Sequence, residues 1–137
     1  MRGRSPGCDP EPVALRCLIV DDNVRFLEVA SDLLEREGMT VVGVASTAAE
    51  ALRRVEDLRP DVVLVDIDLG EDSGFDLADQ LAAAPVGERP PVILISTYAE
   101  SDFADLIASS PAVGFVSKPD LSGRAVAEAV RRGGRAL

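Results

Sequence analysis

Five short runs of aliphatic and β-branched residues recur along the chain: Cys17 to Val20, Thr40 to Val44, Asp61 to Val65, Pro91 to Ile95 and Val113 to Val116. Their centres are continuously apolar, as in Val62-Val63-Leu64-Val65, and lack the alternation of a strand with one wet face. Such runs predict parallel strands covered by helices on both sides.

Segments of helical period fill the intervals. Phe26, Leu27, Ala30, Leu33 and Leu34 share one face, and Gly38 supplies a stop after about four turns. Thr47 followed by Glu50 forms a capping box, with Ala51, Leu52, Val55 and Leu58 on one face of the helix it opens and Pro60 beyond its end. A third helix covers Phe75, Leu77, Ala78 and Leu81 and gives out before Pro85; a shorter fourth surrounds Phe103, Leu106 and Ile107. The fifth runs from about Ser122 through Val126, Ala129 and Val130 to Gly133. This alternation predicts an α/β fold, a doubly wound five-stranded parallel sheet flanked by five helices. Ligands of such sheets sit outside the carboxyl ends of the strands, where the strand order reverses.

Composition narrows the chemistry. The 137 residues suit one domain, and 47% hydrophobic with 28% charged residues is a globular balance. Residues 1–15, rich in Gly, Pro and Arg, are expected to be a flexible leader, 16–132 the folded domain and 133–137 a tail. The chain holds no histidine, which excludes Ser-His-Asp and Cys-His nucleophile pairs and any His-bearing zinc site. Cys8 and Cys17 lack zinc or redox spacing, and Cys17 reads as a small buried hydrophobe. A net charge of −10 argues against direct nucleic-acid binding and against anionic lipid surfaces. Arg131, Arg132 and Arg135 read as cations closing a helix C-terminus. No apolar stretch approaches the roughly 20 residues of a membrane span, which leads to the expectation of a cytoplasmic protein.

The residues directly after the apolar runs carry the chemistry: Asp21 and Asp22 after the first, Asp66 after the third, Ser96 and Thr97 after the fourth, Lys118 after the fifth. Carboxylates crowded on one rim require a cation, and an all-oxygen donor set points to magnesium, with manganese or calcium also compatible. Lys118 is the only lysine among 14 basic residues, and a compact ammonium suits a contact shared between carboxylate and phosphoryl oxygens. Singly, Asp21 reads best as a turn former, Ser96 as a loop hydroxyl and Lys118 as a surface charge. Together they describe a magnesium-assisted phosphoryl-transfer site with a carboxylate acceptor.

These segments resemble the receiver domain of two-component response regulators, the CheY-like fold. The matching pieces are Asp21-Asp22 in LIVDDN, the aspartate of VVLVDIDLG, the hydroxyl in VILIST and Lys118-Pro119 in GFVSKP, in order over about residues 16 to 132. The resemblance implies a flavodoxin-like (β/α)5 fold with strand order 2-1-3-4-5. It implies that Asp66 accepts a phosphoryl group from the phosphohistidine of a sensor histidine kinase or phosphotransfer protein. Asp22, Asp66 and the backbone carbonyl of Asp68 would ligate magnesium, with Asp21 acting mainly through water. Ser96 and Lys118 would hold the phosphoryl oxygens, and Phe115 would occupy the aromatic switch position. The face of the fourth helix, fifth strand and fifth helix would then signal to a downstream protein or form a homodimer.

Two positions depart from the family pattern. Gly70 stands four residues after the acceptor where proline is frequent, and with Gly74 it is expected to free the loop. Asp68 adds a fourth carboxylate beside the site, and Asp68 and Tyr98 are candidates for setting the phosphoryl lifetime. Because no output module follows, the expectation is a stand-alone regulator; a receiver cut from a DNA-binding regulator, or a receiver-like module used without phosphorylation, would carry the same residues. A haloacid-dehalogenase-type phosphohydrolase shares the D-x-D of Asp66-Ile67-Asp68. In that family, however, the motif follows the first strand and a cap is needed.

Overall fold

The computed structural model describes residues 15–85, 89–98 and 100–134. The expected leader at 1–15, apart from Leu15, lies outside the described residues, as do Cys8, Arg135 and the last three residues of the expected tail. The elements alternate as β1 (Arg16–Val20), α1 (Val24–Arg36), β2 (Thr40–Ala45), α2 (Ala48–Leu58) and β3 (Val62–Asp66). There follow α3 (Gly74–Ala82), β4 (Val92–Ser96), α4 (Ala104–Ala108), β5 (Gly114–Ser117) and α5 (Gly123–Gly134). The five strands pair in parallel in the order β2-β1-β3-β4-β5, the expected doubly wound arrangement.

Continuous apolarity is used as two interleaved faces. Cys17, Ile19, Val62, Leu64, Ile93 and Ile95 point to one layer, where α1 contributes Leu27, Ala30 and Leu34 and α5 contributes Val126 and Ala129. Leu18, Val20, Val63, Val65, Val92 and Leu94 point to the other, against Ala51 of α2 and Leu77, Ala78 and Leu81 of α3. A strand with period 2 and both faces covered has no polar position available, which is why the sequence shows an unbroken run. Cys17 is fully buried, and desolvation pushes its thiol up to about 12. In a Cys8→Ser background, Ellman's reagent is therefore expected to modify Cys17 only at the rate of unfolding; prompt reaction in native buffer would contradict that burial.

Two local features differ from expectation. The hydroxyl of Thr47 accepts the amide of Glu50 as foreseen, but the Glu50 carboxylate accepts the amide of Ser46 instead of that of Thr47. The side chain of Asp72 takes the amide of Ala48, so the start of α2 is satisfied from another loop. Between β3 and α3 lies a small antiparallel hairpin, Asp68–Leu69 with Asp72–Ser73, that no periodicity announced. Gly70, expected to free this loop, has a conformational role in it. It holds φ +76° at the first central position of a two-residue hairpin turn, a conformation that strongly favours glycine.

The start of α5 falls where expected and is held from two sides. Ser122 caps it, accepting the amide of Ala125, and the amide of Gly123 donates to the carboxylate of Glu37, the C-cap residue of α1. Residues 119–122 thus carry the chain from the site back toward the far end of α1 before the helix begins. A carboxylate at a helix N-terminus satisfies an orphan amide and complements the helix dipole.

Candidate phosphoacceptor and metal site

Asp66 is the last residue of β3, and β1 ends one residue before Asp21, so parallel pairing of Val20 with Val65 brings both aspartates to the same rim. One carboxylate oxygen from each of Asp21, Asp22 and Asp66 lies within 4.8 Å of the others. Asp21 is fully buried, Asp66 is buried and Asp22 is exposed, so the cluster opens to solvent on one side. Lys118, at the end of β5, closes the other side: its Nζ stands 2.6 Å from Asp21 Oδ2 and donates a hydrogen bond of 3.0 Å to Asp66 Oδ2.

Each carboxylate is oriented by backbone. Asp21 Oδ1 accepts the amide of Asn23, and Asn23 in turn caps α1 by accepting the amide of Phe26. Asp21 is thus both the turn former that its position suggests and a member of the cluster. Its Oδ2 has the ion-pair contact to Lys118 but no hydrogen bond among the described residues. Asp66 Oδ1 accepts the amide of Asp68, whose own carboxylate is exposed and accepts the amide of Gly70. The Asp68 carboxylate is therefore turned into the hairpin and lies outside the three-carboxylate cluster.

The electrostatics match this geometry. Burial pushes the Asp21 carboxyl above the ordinary range, against the pull of Lys118 and of the Asn23 amide. Burial would lower the Lys118 ammonium, but its contacts with Asp21 and Asp66 outweigh that and hold it above the usual lysine value. Three carboxylates face one ammonium, and the buried Asp21 Oδ2 has only that ammonium as a partner among the described residues. These residues fit a divalent cation with oxygen preference.

Ser96 is buried at the end of β4, and its hydroxyl oxygen accepts the amide of Tyr98. The hydroxyl proton remains to donate. Phe115 is half-buried on β5, opposite Leu94, and packs on the α3 side of the core together with Phe75, Phe103 and Ile107. Tyr98 is exposed and meets Phe103 edge-on with centroids 5.8 Å apart. The fourth helix expected around Phe103 begins as a short 3-10 turn, Glu100–Phe103, before the α-helical residues.

The roles of two residues could not be read from the sequence. Phe26 places its ring 4.2 Å from Lys118 Nζ, although its spacing in α1 reads as ordinary core. Gly74, expected to loosen the loop, is instead buried against Asp66: a Cβ there would lie 2.1 Å from the carbonyl oxygen of Asp66. Close backbone approach, not freedom, explains this glycine.

Residues 17–130 match the model of the response regulator receiver domain, and the chain belongs to that family. A protein-glutamate methylesterase/protein-glutamine glutaminase of Nocardioides sp. is 38% identical over 87 residues, covering 63% of this chain and 23% of that protein. The transcriptional regulatory protein PdtaR of Mycobacterium tuberculosis is 25% identical over 107 residues, 78% of this chain and 51% of that protein. The chain thus spans about a quarter to a half of the length of these curated relatives. Among solved structures, the signal receiver domain of the putative response regulator NarL from Mycobacterium tuberculosis superposes with a TM-score of 0.76 at 26% identity, over 88% of this chain and 98% of that one. No helix among the described residues is long and apolar enough to cross a membrane.

Proposed function

We propose that this receiver takes a phosphoryl group onto Asp66 from the phosphohistidine of a sensor histidine kinase or phosphotransfer protein, in the cytoplasm and with Mg2+. The observation that supports this most directly is the Lys118 ammonium bridging Asp21 and Asp66 beside the exposed Asp22 carboxylate. Asp21, Asp22 and Asp66, with the backbone carbonyl of Asp68, would hold Mg2+, and Mn2+ suits the same oxygens. When bound, the ion supplies positive charge that offsets the incoming phosphoryl oxygens.

The chain's own residues do the rest. Asp66 Oδ2 attacks phosphorus as the histidine nitrogen leaves, forming an acyl phosphate. Lys118 and the Ser96 hydroxyl receive the phosphoryl oxygens. Ser96 donates its free hydroxyl proton, and drawing its side chain toward the phosphoryl group pulls its oxygen from the Tyr98 amide and frees the loop between β4 and α4. Phe115 then repacks, and the surface of α4, β5 and α5 presents a different face to a protein partner or a second copy. No histidine stands by to activate water, so the acyl phosphate persists as a signal, its lifetime tuned by Asp68 and Tyr98.

Incubation with Mg2+ and acetyl phosphate is expected to add the mass of one phosphoryl group, labile to hydroxylamine, and Asp66→Asn is expected to abolish it. An unmodified wild type that also fails to bind beryllofluoride would overturn this reading in favour of a module used without phosphorylation.

A further inference from the structure

Four contacts close a circuit at the rim. Asp21 Oδ1 accepts the amide of Asn23 at 2.9 Å; Asn23 Oδ1 accepts the amide of Phe26 at 3.2 Å; the Phe26 ring centroid lies 4.2 Å from Lys118 Nζ; and Nζ returns to Asp21 Oδ2 at 2.6 Å. The same cap that starts α1 therefore places an aromatic face under the site's only ammonium. Phe26 is half-buried at the edge of the α1 side of the core. An aliphatic residue could supply the apolar contact, but only a π-face attracts the cation.

The ring differs in kind from the other partners of Lys118. Asp21 and Asp66 are the groups a divalent cation would claim, so their hold on the ammonium weakens when the metal binds. Phe26 carries no ligand atom and no formal charge. It neither competes for the metal nor repels a phosphoryl oxygen. A four-carbon stem with three rotatable donors needs such a fixed partner, or the ammonium is lost to solvent when the carboxylates are taken.

Building on the phosphoacceptor reading, we propose that Phe26 is a positioning residue for phosphoryl transfer: its ring keeps the Lys118 ammonium on the rim after the carboxylates have been claimed by metal, ready to meet the phosphoryl oxygens. It acts through Lys118 and does not itself touch the reacting atoms.

Because Lys118 is the only lysine of the chain, selective 13C-lysine labelling yields a single Cε resonance whose protons report the ring directly. In wild type with Mg2+ these protons are expected upfield of free lysine. They should stay there in Phe26→Tyr and return to the free value in Phe26→Leu and Phe26→Met. Phosphorylation by acetyl phosphate is expected to slow about three- to tenfold in Phe26→Leu and Phe26→Met, and to stay near wild type in Phe26→Tyr, as one cation–π contact implies. Thermal melts select aliphatic variants that remain folded, and the Tyr variant tests the idea in either case. An active wild type with equal rates in the Leu and Met variants, a slowed Tyr variant, or an unshifted wild-type resonance in Mg2+ would overturn the role of Phe26. A wild type that accepts neither phosphoryl nor beryllofluoride would instead remove the phosphoacceptor reading, and the positioning role with it.

Discussion

Lys118→Met is expected to destabilise the metal-free protein by about 3 to 5 kcal/mol at neutral pH, the range for removing one partner of a buried ion pair. The substitution keeps length and apolar stem but leaves Asp21, fully buried, facing Asp66 without a cation. Urea denaturation in a chelator measures the loss. The pH dependence carries the sign of the cause. Because burial raises the folded-state pKa of Asp21, its protonated form is favoured in the fold. Stability contributed by this group therefore falls as pH rises from the ordinary carboxylate pKa to the raised one, more steeply in the variant, where Lys118 no longer opposes the shift. In wild type the Lys118 pKa is raised, so its stabilisation is complete below the ordinary lysine value and disappears as pH climbs through the higher folded value. Divalent cation should restore much of the variant's stability, since it offsets the same carboxylates. A variant as stable as wild type in chelator at neutral pH would show that Asp21 is not held as a buried charge. Beryllofluoride affinity is expected to fall by at least about tenfold, as one charge-assisted contact to the anion is lost.

Gly74→Ala is the second large effect expected. The added carbon would lie 2.1 Å from the carbonyl oxygen of Asp66 and 2.7 Å from the Cα of Ile67, both backbone atoms that cannot swing aside. The amide of Gly74 donates to the carbonyl of Ile67 at 3.0 Å, which pins the two segments together. Relief requires moving either the backbone of Asp66 and Ile67 or the start of α3. We expect a loss of about 3 kcal/mol, the upper end of ordinary overpacking, with a marked fall in phosphoryl adduct. Gly70→Ala makes a useful contrast: its Cβ would meet Asp22 Oδ2 at 3.0 Å, and a side-chain carboxylate can move. Its cost of about 1 to 2 kcal/mol comes from the positive φ, and metal affinity should fall because Asp22 is displaced. Denaturation curves and intact mass on the two variants separate the mechanisms. A Gly74→Ala protein within about 0.5 kcal/mol of wild type, the size of an ordinary surface change, would contradict the contact.

Both effects bear on how the site is built. Asp21, Asp22, Asp66, Ser96 and Lys118 could be named in advance because parallel strands all deliver their last residues to one rim, and strand ends can be read from apolar runs. What joins them could not. The Asp68 carboxylate stands beside the cluster as its spacing suggests, but only the turn at Gly70 shows it drawn to a backbone amide. Gly74 looked like a flexible joint, yet it is a point of contact between chain segments eight residues apart. Phe26 belongs to an amphipathic stripe in one dimension and to a cation's surroundings in three.

By itself, then, the order of apolar and polar residues determined the alternation of strands and helices, the two-faced burial of the sheet and the rim on which Asp21, Asp22, Asp66 and Lys118 meet. These are consequences of local periodicity and of chain direction. Tertiary structure alone decided the hairpin after Asp66, the Asp72 and Glu37 carboxylates that finish helices from distant loops, and the ring beneath Lys118. Each of these depends on distances between segments remote in sequence, and a polar or aromatic side chain carries no mark of which distant partner its surroundings will bring.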